Sequence, residues 1–300
     1  MTEEVKKEIN EEIVPVEQGV SPWRDMWDRL KQNKAAMFGL AIVGLLVFFA
    51  LFGKYLTPYD PLYGGSLKES LQGPSRAHWL GTDEQGRDML SRIIAGAAIS
   101  LRVGLSAVGI ALSCGMIIGA IAGYYGGKID MILMRLMDIM LAFPSLLLAI
   151  AFMSVLGRGI ENAIIAISIV TIPQYARIVR GSVLSVKENE YVQAARAIGN
   201  PDWRIILYHV VPNILPPIIV RATLGISIAI LDTSALGFLG LGVQPPTAEW
   251  GTMLGAGRAY FFNANHLVLF PGLAITFTVM AFNLLGDGLR DALDPRIRKG

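Results

Sequence analysis

Apolar windows long enough to cross a bilayer alternate along this chain with polar connections, one of which is far longer than a simple turn requires. Residues 35–53 carry no charge and read as the first span. Residues 103–123, 139–157 and 162–178 read as the next three, the last of these containing Pro173. Residues 267–286 close the series. A span needs ~20 residues. Residues 214–242 are therefore too long for one span and too short for two, which predicts a fifth span followed by an extra turn or a re-entrant piece. Lipid satisfies no backbone hydrogen bond, so helices are the form this pattern takes. The expected fold class is an all-α membrane protein with about six spans.

The long polar connection is residues 185–212, SVKENEYVQAARAIGNPDWRIILYHVVP. Ser185 followed by Glu188 is a capping-box spacing, and residues 186–198 are good helix formers. Gly199 suits the left-handed position that ends a helix. Asn200 then reads as the cap of a second helix, with Pro201 at its first position and Asp202 complementing the dipole. Pro212 interrupts or redirects that helix just before the membrane. Two helices around a one-residue corner make a rigid knob. Ala194, Ala195 and Ala197 give it a small face that suits a protein cleft. A hairpin lying on lipid headgroups, anchored by Trp203, is the competing reading.

Composition agrees with the span pattern: the chain is 53% hydrophobic and 17% charged, with a mean hydropathy of +0.50. A net charge of +2 suggests no nucleic-acid partner. The single cysteine, Cys114, lies in an apolar window and cannot form an intrachain disulfide. His78, His209 and His266 are too widely spaced for a His-rich metal site. The first twenty residues are charged and lack the apolar core of a signal peptide. Lys and Arg concentrate before the first span, between the second and third, in 185–212 and after the last. By the positive-inside rule both termini and the 185–212 knob are cytoplasmic. The expected division is a tail over 1–34, a first span over 35–53, an extracytoplasmic loop with an interfacial helix over 54–102, a core over 103–286, and a tail over 287–300.

Thr82 and Gln85 form a second capping-box spacing, predicting a helix start in the loop that precedes the second span. Arg102 is placed to snorkel at its membrane boundary. Asp83, Glu84, Arg87 and Asp88 fit equally well a solvated, salt-bridged helix start or a surface meeting an external protein. Gly115, Gly119 and Gly123 recur every fourth residue, which lets helices approach closely, within the chain or with a partner. Among intramembrane ionisable residues, Asp232 is the candidate for a translocation pathway, because lipid exposure is costly. Pairing with a partner subunit is its alternative role. Asp138 is expected to pair with Arg135 one turn away. Asp138, Asp232, Arg221 and His209 do not assemble a catalytic pattern. No HExxH or GxSxG occurs. The nearest approach to a phosphate-binding loop, residues 123–129, lacks a glycine at the spacing required before Gly127-Lys128 and has Ile129 where Ser or Thr would hold magnesium. No catalytic residue, metal site or cofactor is expected in this chain. A self-sufficient channel or scaffold remains an alternative.

The segment QAARAIGNPDWRIILYHVVP, residues 193–212, resembles the EAA loop of importer permeases of the ATP-binding cassette type. Ala194, Ala195, Gly199 and Pro212 keep that spacing. Gln193 stands where Glu is usual, His209 for Ile and Val211 for Leu. Residues 79–92, 135–150, 237–254 and 282–296 look like signatures of the dipeptide/oligopeptide/nickel permease family, in family order. The resemblance is to its "C" type subunit. It implies a type I importer fold in a bacterial plasma membrane, with Gln193, Ala194, Ala195, Gly199, Asn200, Pro201, Asp202 and Pro212 coupling to an ATPase. It also implies a related second permease subunit, two ATPase subunits carrying ATP and magnesium, and an external substrate-binding protein. Membrane lipid surrounds such a complex. Its cargo is a short peptide or, alternatively, a nickel chelate or other small solute.

Overall fold

A computed structural model describes residues 22–293. Residues 1–21 and 294–300 lie outside the described residues, and with them Arg296, Arg298 and Lys299 of the basic cluster after the last span. The described part is helical, with one isolated bridge between Thr82 and Asp88.

Helix α1, Pro22–Gln32, occupies residues expected within a tail. Ion pairs Arg29–Asp25 at 3.3 Å and Lys31–Asp28 at 2.8 Å run along it. Asn33 then caps α2, Lys34–Leu56, by accepting the Ala36 amide. Most of α2 is exposed apolar surface, including Leu45, Phe48 and Leu51, as suits a span against lipid. Gly39 lets α2 close against α11: a Cβ there would stand 2.7 Å from the Ala281 carbonyl oxygen. The last helix, α11, is His266–Leu293.

The expected start at Thr82 does not occur. Asp83 instead accepts the amides of Gln85 and Arg87, closing a turn, and α3 begins only at Met89 with Asp88 as its cap. Helix α3, Met89–Tyr125, is unbroken for 37 residues, or ~55 Å at 1.5 Å per residue. Its glycine stripe faces inward against α6, Ile160–Val186. A Cβ at Gly115 would stand 2.5 Å from Tyr175 Cβ, and one at Gly123 would stand 2.9 Å from Val183 Cβ.

The third predicted span is broken. Helices α4, Gly127–Leu141, and α5, Ser145–Leu156, meet at 92°. Pro144 explains the break: its ring disfavours helical backbone at Phe143, and it supplies no amide to continue the ladder. Helix α6 runs past the predicted 162–178 because its polar residues are paired across to α4. Arg177 binds Asp138 at 2.7 Å, and Arg180 forms a two-pronged pair with Asp130. Asp138 therefore pairs with Arg177, not Arg135. An Arg preceding an Asp by three residues is the weaker helical order, and α6 offers a better-placed partner.

The 185–212 segment differs in its caps. Helix α6 runs through Ser185, and α7, Glu190–Ala197, starts after Asn189, so the Ser185–Glu188 box does not form. Gly199 adopts φ +80°, the left-handed corner. Pro201, not Asn200, precedes α8, Asp202–Ile205. The Asn200 amide turns back and donates to the Ala195 carbonyl at 3.1 Å. A π turn, Ile206–Val210, joins α8 to α9, Val211–Phe238. Pro212 is the cause of the π turn: its ring cannot sit against the Tyr208 carbonyl at α spacing, so the backbone widens rather than stops. Gly240, at φ +75°, ends the turn after α9, and the short α10, Trp250–Gly257, packs back against it. The five long helices and the bent pair give up to six spans.

Candidate functional site

The knob is asymmetric. Its inner side buries Val192, Ala195, Ile205 and Val210 with Tyr124, Val179 and Val183 in one apolar cluster. Its outer side exposes Tyr191, Gln193, Ala194, Ile198, Trp203, Leu207 and Tyr208, with Ile198 80% exposed. The alanines thus divide: Ala195 faces in, while Ala194 and Ala197 face out. The outer side is thus an exposed patch, largely apolar, at a helix corner. Pro201, Asp202 and Gly199 are exposed around it, Asn200 is half-buried, and Pro212 lies exposed at the knob's root. The Gln193 amide donates to the Lys187 carbonyl at 3.0 Å. An ionised Glu has no proton to give that carbonyl, so the amide serves a local role here that the usual residue cannot.

One residue important to this site carries no local signal in the sequence. Tyr124, near the end of α3, donates its hydroxyl to Asp202 Oδ1 at 2.8 Å, and the Arg196 guanidinium lies 5.3 Å from its ring centroid. Beside it, Lys187 Nζ donates to the Gly123 carbonyl at 2.9 Å. An aromatic at a span end is ordinary, and 78 residues separate Tyr124 from Asp202.

Arg221 and Asp232 sit eleven residues apart on α9. That is three turns, so they share one face about 16 Å apart. The face also presents Ile228, which is exposed. Gln174 of α6 accepts from the Arg221 guanidinium, which lies 5.8 Å from the Tyr175 ring centroid. Asp232 makes no ion pair or hydrogen bond among the described residues; Asp138, on α4, is instead held by Arg177 of α6.

At the far end of α3, Asp83, Arg87 and Asp88 are buried, each under 5% exposed. Arg87 binds Asp83 at 2.7 Å, Arg92 reaches Asp83 at 3.4 Å, and His78 Nδ1 lies 3.0 Å from Asp88. Asp88 also accepts from Ser91, and Arg92 donates to the Pro61 carbonyl. The first turn of α3 thus fastens the polar loop 57–88. These charges are neither solvated nor presented outward; of the four, only Glu84 is partly exposed. Glu249 is buried at the start of α10, where burial pushes its carboxyl up against the opposing effect of the Gly251 and Thr252 amides it accepts. Among the described residues, no three His, Cys, Asp or Glu side chains converge on a metal-sized site.

Comparison with known proteins bears on this arrangement. A family described as binding-protein-dependent transport system inner membrane component matches residues 115–299. The N-terminal transmembrane domain of oligopeptide transport permease C matches residues 21–74. The dipeptide transport system permease protein DppC of Alkalihalophilus pseudofirmus is 51% identical over 279 residues, covering 93% of this chain and 91% of the relative. The di/tripeptide permease DppC of Pseudomonas aeruginosa is 48% identical over 283 residues, covering 93% of each. The glutathione permease GsiD of Escherichia coli O6:K15:H31 is 46% identical over 286 residues, covering 95% of this chain and 94% of the relative. An inward-facing MetNI methionine ABC transporter shares the fold, with a TM-score of 0.57 at 17% identity over 69% of this chain and 98% of that one. The fold is that of a type I importer permease. With its spans, its knob and both family matches in agreement, this chain belongs to the family of binding-protein-dependent transport system inner membrane components, as a C-type multi-pass permease.

Proposed function

We propose that this chain is the C-type permease subunit of an ATP-driven peptide importer, with its knob and both termini in the cytoplasm of a bacterium. It supplies half of the translocation path and one coupling helix. A related permease subunit supplies the other half, two ATPase subunits bind ATP and magnesium, and an external protein delivers the peptide. The chain itself catalyses nothing. The observation that carries this reading is the knob: apolar and exposed on its outer side, fastened to the spans on its inner side. The names of the relatives, which carry dipeptides, di- and tripeptides and glutathione, support short peptides as cargo.

The test is made on the assembled complex in proteoliposomes. Ile198→Glu places a charge on the outer face without touching the knob's core. Gly199→Trp adds bulk at a corner with no neighbour within 4 Å, although the left-handed backbone itself strains any side chain there. Both are expected to lower peptide-stimulated ATPase activity and uptake together, with the permease pair still assembled. Unchanged coupling in both would refute docking through the knob, and conduction by the purified chain without ATP would favour a channel.

The α9 face is the proposed path. Charged side chains on an otherwise apolar face are costly against lipid and are suited to a polar conduit or a partner subunit. In this reading Asp232 meets a peptide's amino terminus. Asp232→Asn is expected to slow uptake of peptides with a free amino terminus more than of N-acetylated ones. Equal effects on both would remove Asp232 from the path.

A further inference from the structure

Helices α7 and α8 meet at a corner closed by Asn200, whose side chain donates to the Ala195 carbonyl, over the apolar cluster they share. Gly199 has no neighbouring atom within 4 Å of where a side chain would start. The polar contact that joins both helices to a membrane span comes from α3. Tyr124 is 6% exposed, wedged beneath both. Its hydroxyl donates to Asp202 in the first turn of α8, and its ring underlies Arg196 in the last turn of α7. The adjacent Gly123 carbonyl accepts from Lys187, just ahead of α7. Three contacts from three parts of the knob thus converge on two consecutive residues of α3.

The other end of α3 is fastened as firmly. Asp88 holds His78 and Ser91, Arg92 holds Asp83 and Pro61, and the Ile93 carbonyl accepts from the Trp250 indole at 3.0 Å. Trp250 lies over Gly96, where a Cβ would stand 2.5 Å from the indole nitrogen. Between the two ends the helix has no proline and no break.

We propose that Tyr124 is the positioning residue that locks the knob to α3, so that a push on the knob reaches the opposite face of the protein along α3 as one rigid strut. This rests on the docking of the knob to an ATPase subunit proposed above. Tyr124 itself touches neither partner nor cargo; it acts by holding Asp202 and Arg196.

The experiment measures peptide taken up per ATP hydrolysed by the reconstituted complex. Tyr124→Phe keeps the ring under Arg196 and removes the hydroxyl that bonds Asp202. The ratio is expected to fall about three- to tenfold, the range of one hydrogen bond to a charged acceptor partly open to water. ATPase binding and the unfolding temperature should stay within experimental scatter of the wild type. Asp202→Ala should lower the ratio similarly, and Asp202→Asn, which keeps an acceptor oxygen, should lower it less. The double variant Tyr124→Phe/Asp202→Ala should be no worse than the poorer single one, because both remove the same bond. An unchanged ratio in Tyr124→Phe, or losses that multiply in the double variant, would overturn the proposal. Should Tyr124→Phe fail to assemble, the ordering of the two Asp202 variants decides, and equal losses in both would overturn it. If Ile198→Glu and Gly199→Trp abolish coupling while Tyr124→Phe does not, docking stands and only the strut falls. If those two leave coupling intact, docking fails first.

Discussion

At the scale of single residues, the buried carboxyl of Glu249 has the sharpest consequence. One oxygen accepts the Gly251 amide at 2.8 Å, and the other accepts the Thr252 amide and hydroxyl at 2.7 and 2.9 Å. Burial raises its pKa above the ordinary carboxylate range despite these donors. The folded protein then holds this proton more tightly than the unfolded chain does. By linkage, its contribution to stability is greatest below the unfolded pKa, declines as pH rises toward the folded value, and is level above it. Glu249→Gln removes that dependence but aims an amide NH2 at donors. It is expected to cost about 1–3 kcal/mol. Thermal unfolding of the purified complex across pH, wild type against Glu249→Gln, measures both effects. An identical pH profile in the two would show that Glu249 does not titrate in this window. Asp83, Glu84, Arg87 and Asp88 carry the complementary lesson. Their charge pattern was visible, but their turn was not, because Asp83 spends its carboxylate on the amides of Gln85 and Arg87 rather than on a helix.

Between elements, the tightest seam is that of α3 against α6. Gly119 sits where a Cβ would meet the Ala176 carbonyl and stand 2.7 Å from Val179 Cβ. Gly119→Leu must therefore push the two helices apart, at a cost of about 3 kcal/mol or more. Gly109→Leu on the same helix has open space and is expected to be near neutral. Unfolding temperatures of the two variants in one detergent make the comparison, and equal values would contradict this seam. The stripe itself was legible, since a period of four small residues admits few other uses. What it packs against was not, because either a helix of this chain or a partner satisfies the same spacing. The bend between α4 and α5 is the converse case. Pro144 stood in plain view, but a continuous apolar run concealed how completely it would break the span. The ion pairs that carry α6 beyond its predicted end, Arg177–Asp138 and Arg180–Asp130, join residues 39 and 50 positions apart. No local window brings these together. As a largely exposed pair, Arg177–Asp138 adds at most about 1 kcal/mol, and it orients α4 more than it stabilises it.

Across the whole molecule, the spans and the left-handed corner at Gly199 were legible because each is dictated locally, by apolar length or by the backbone needs of one residue. The attachment of the knob was not, since Tyr124 meets Asp202 only after the chain has crossed the membrane and returned. Most of the membrane part was therefore readable as a set of elements, and the contacts that join them were not. Helix α3 adds one further consequence. It is ~55 Å long, against a hydrocarbon layer of ~30 Å, and it has no joint at which to shorten. Both of its ends carry fixed attachments, so their separation is a constant of the protein. In a thinner or thicker bilayer this helix can only tilt, or make the lipid stretch or thin around it. The span acts as a gauge of fixed length: the distance between its two attached ends along the helix does not depend on the lipid, and only its tilt or the lipid around it adjusts.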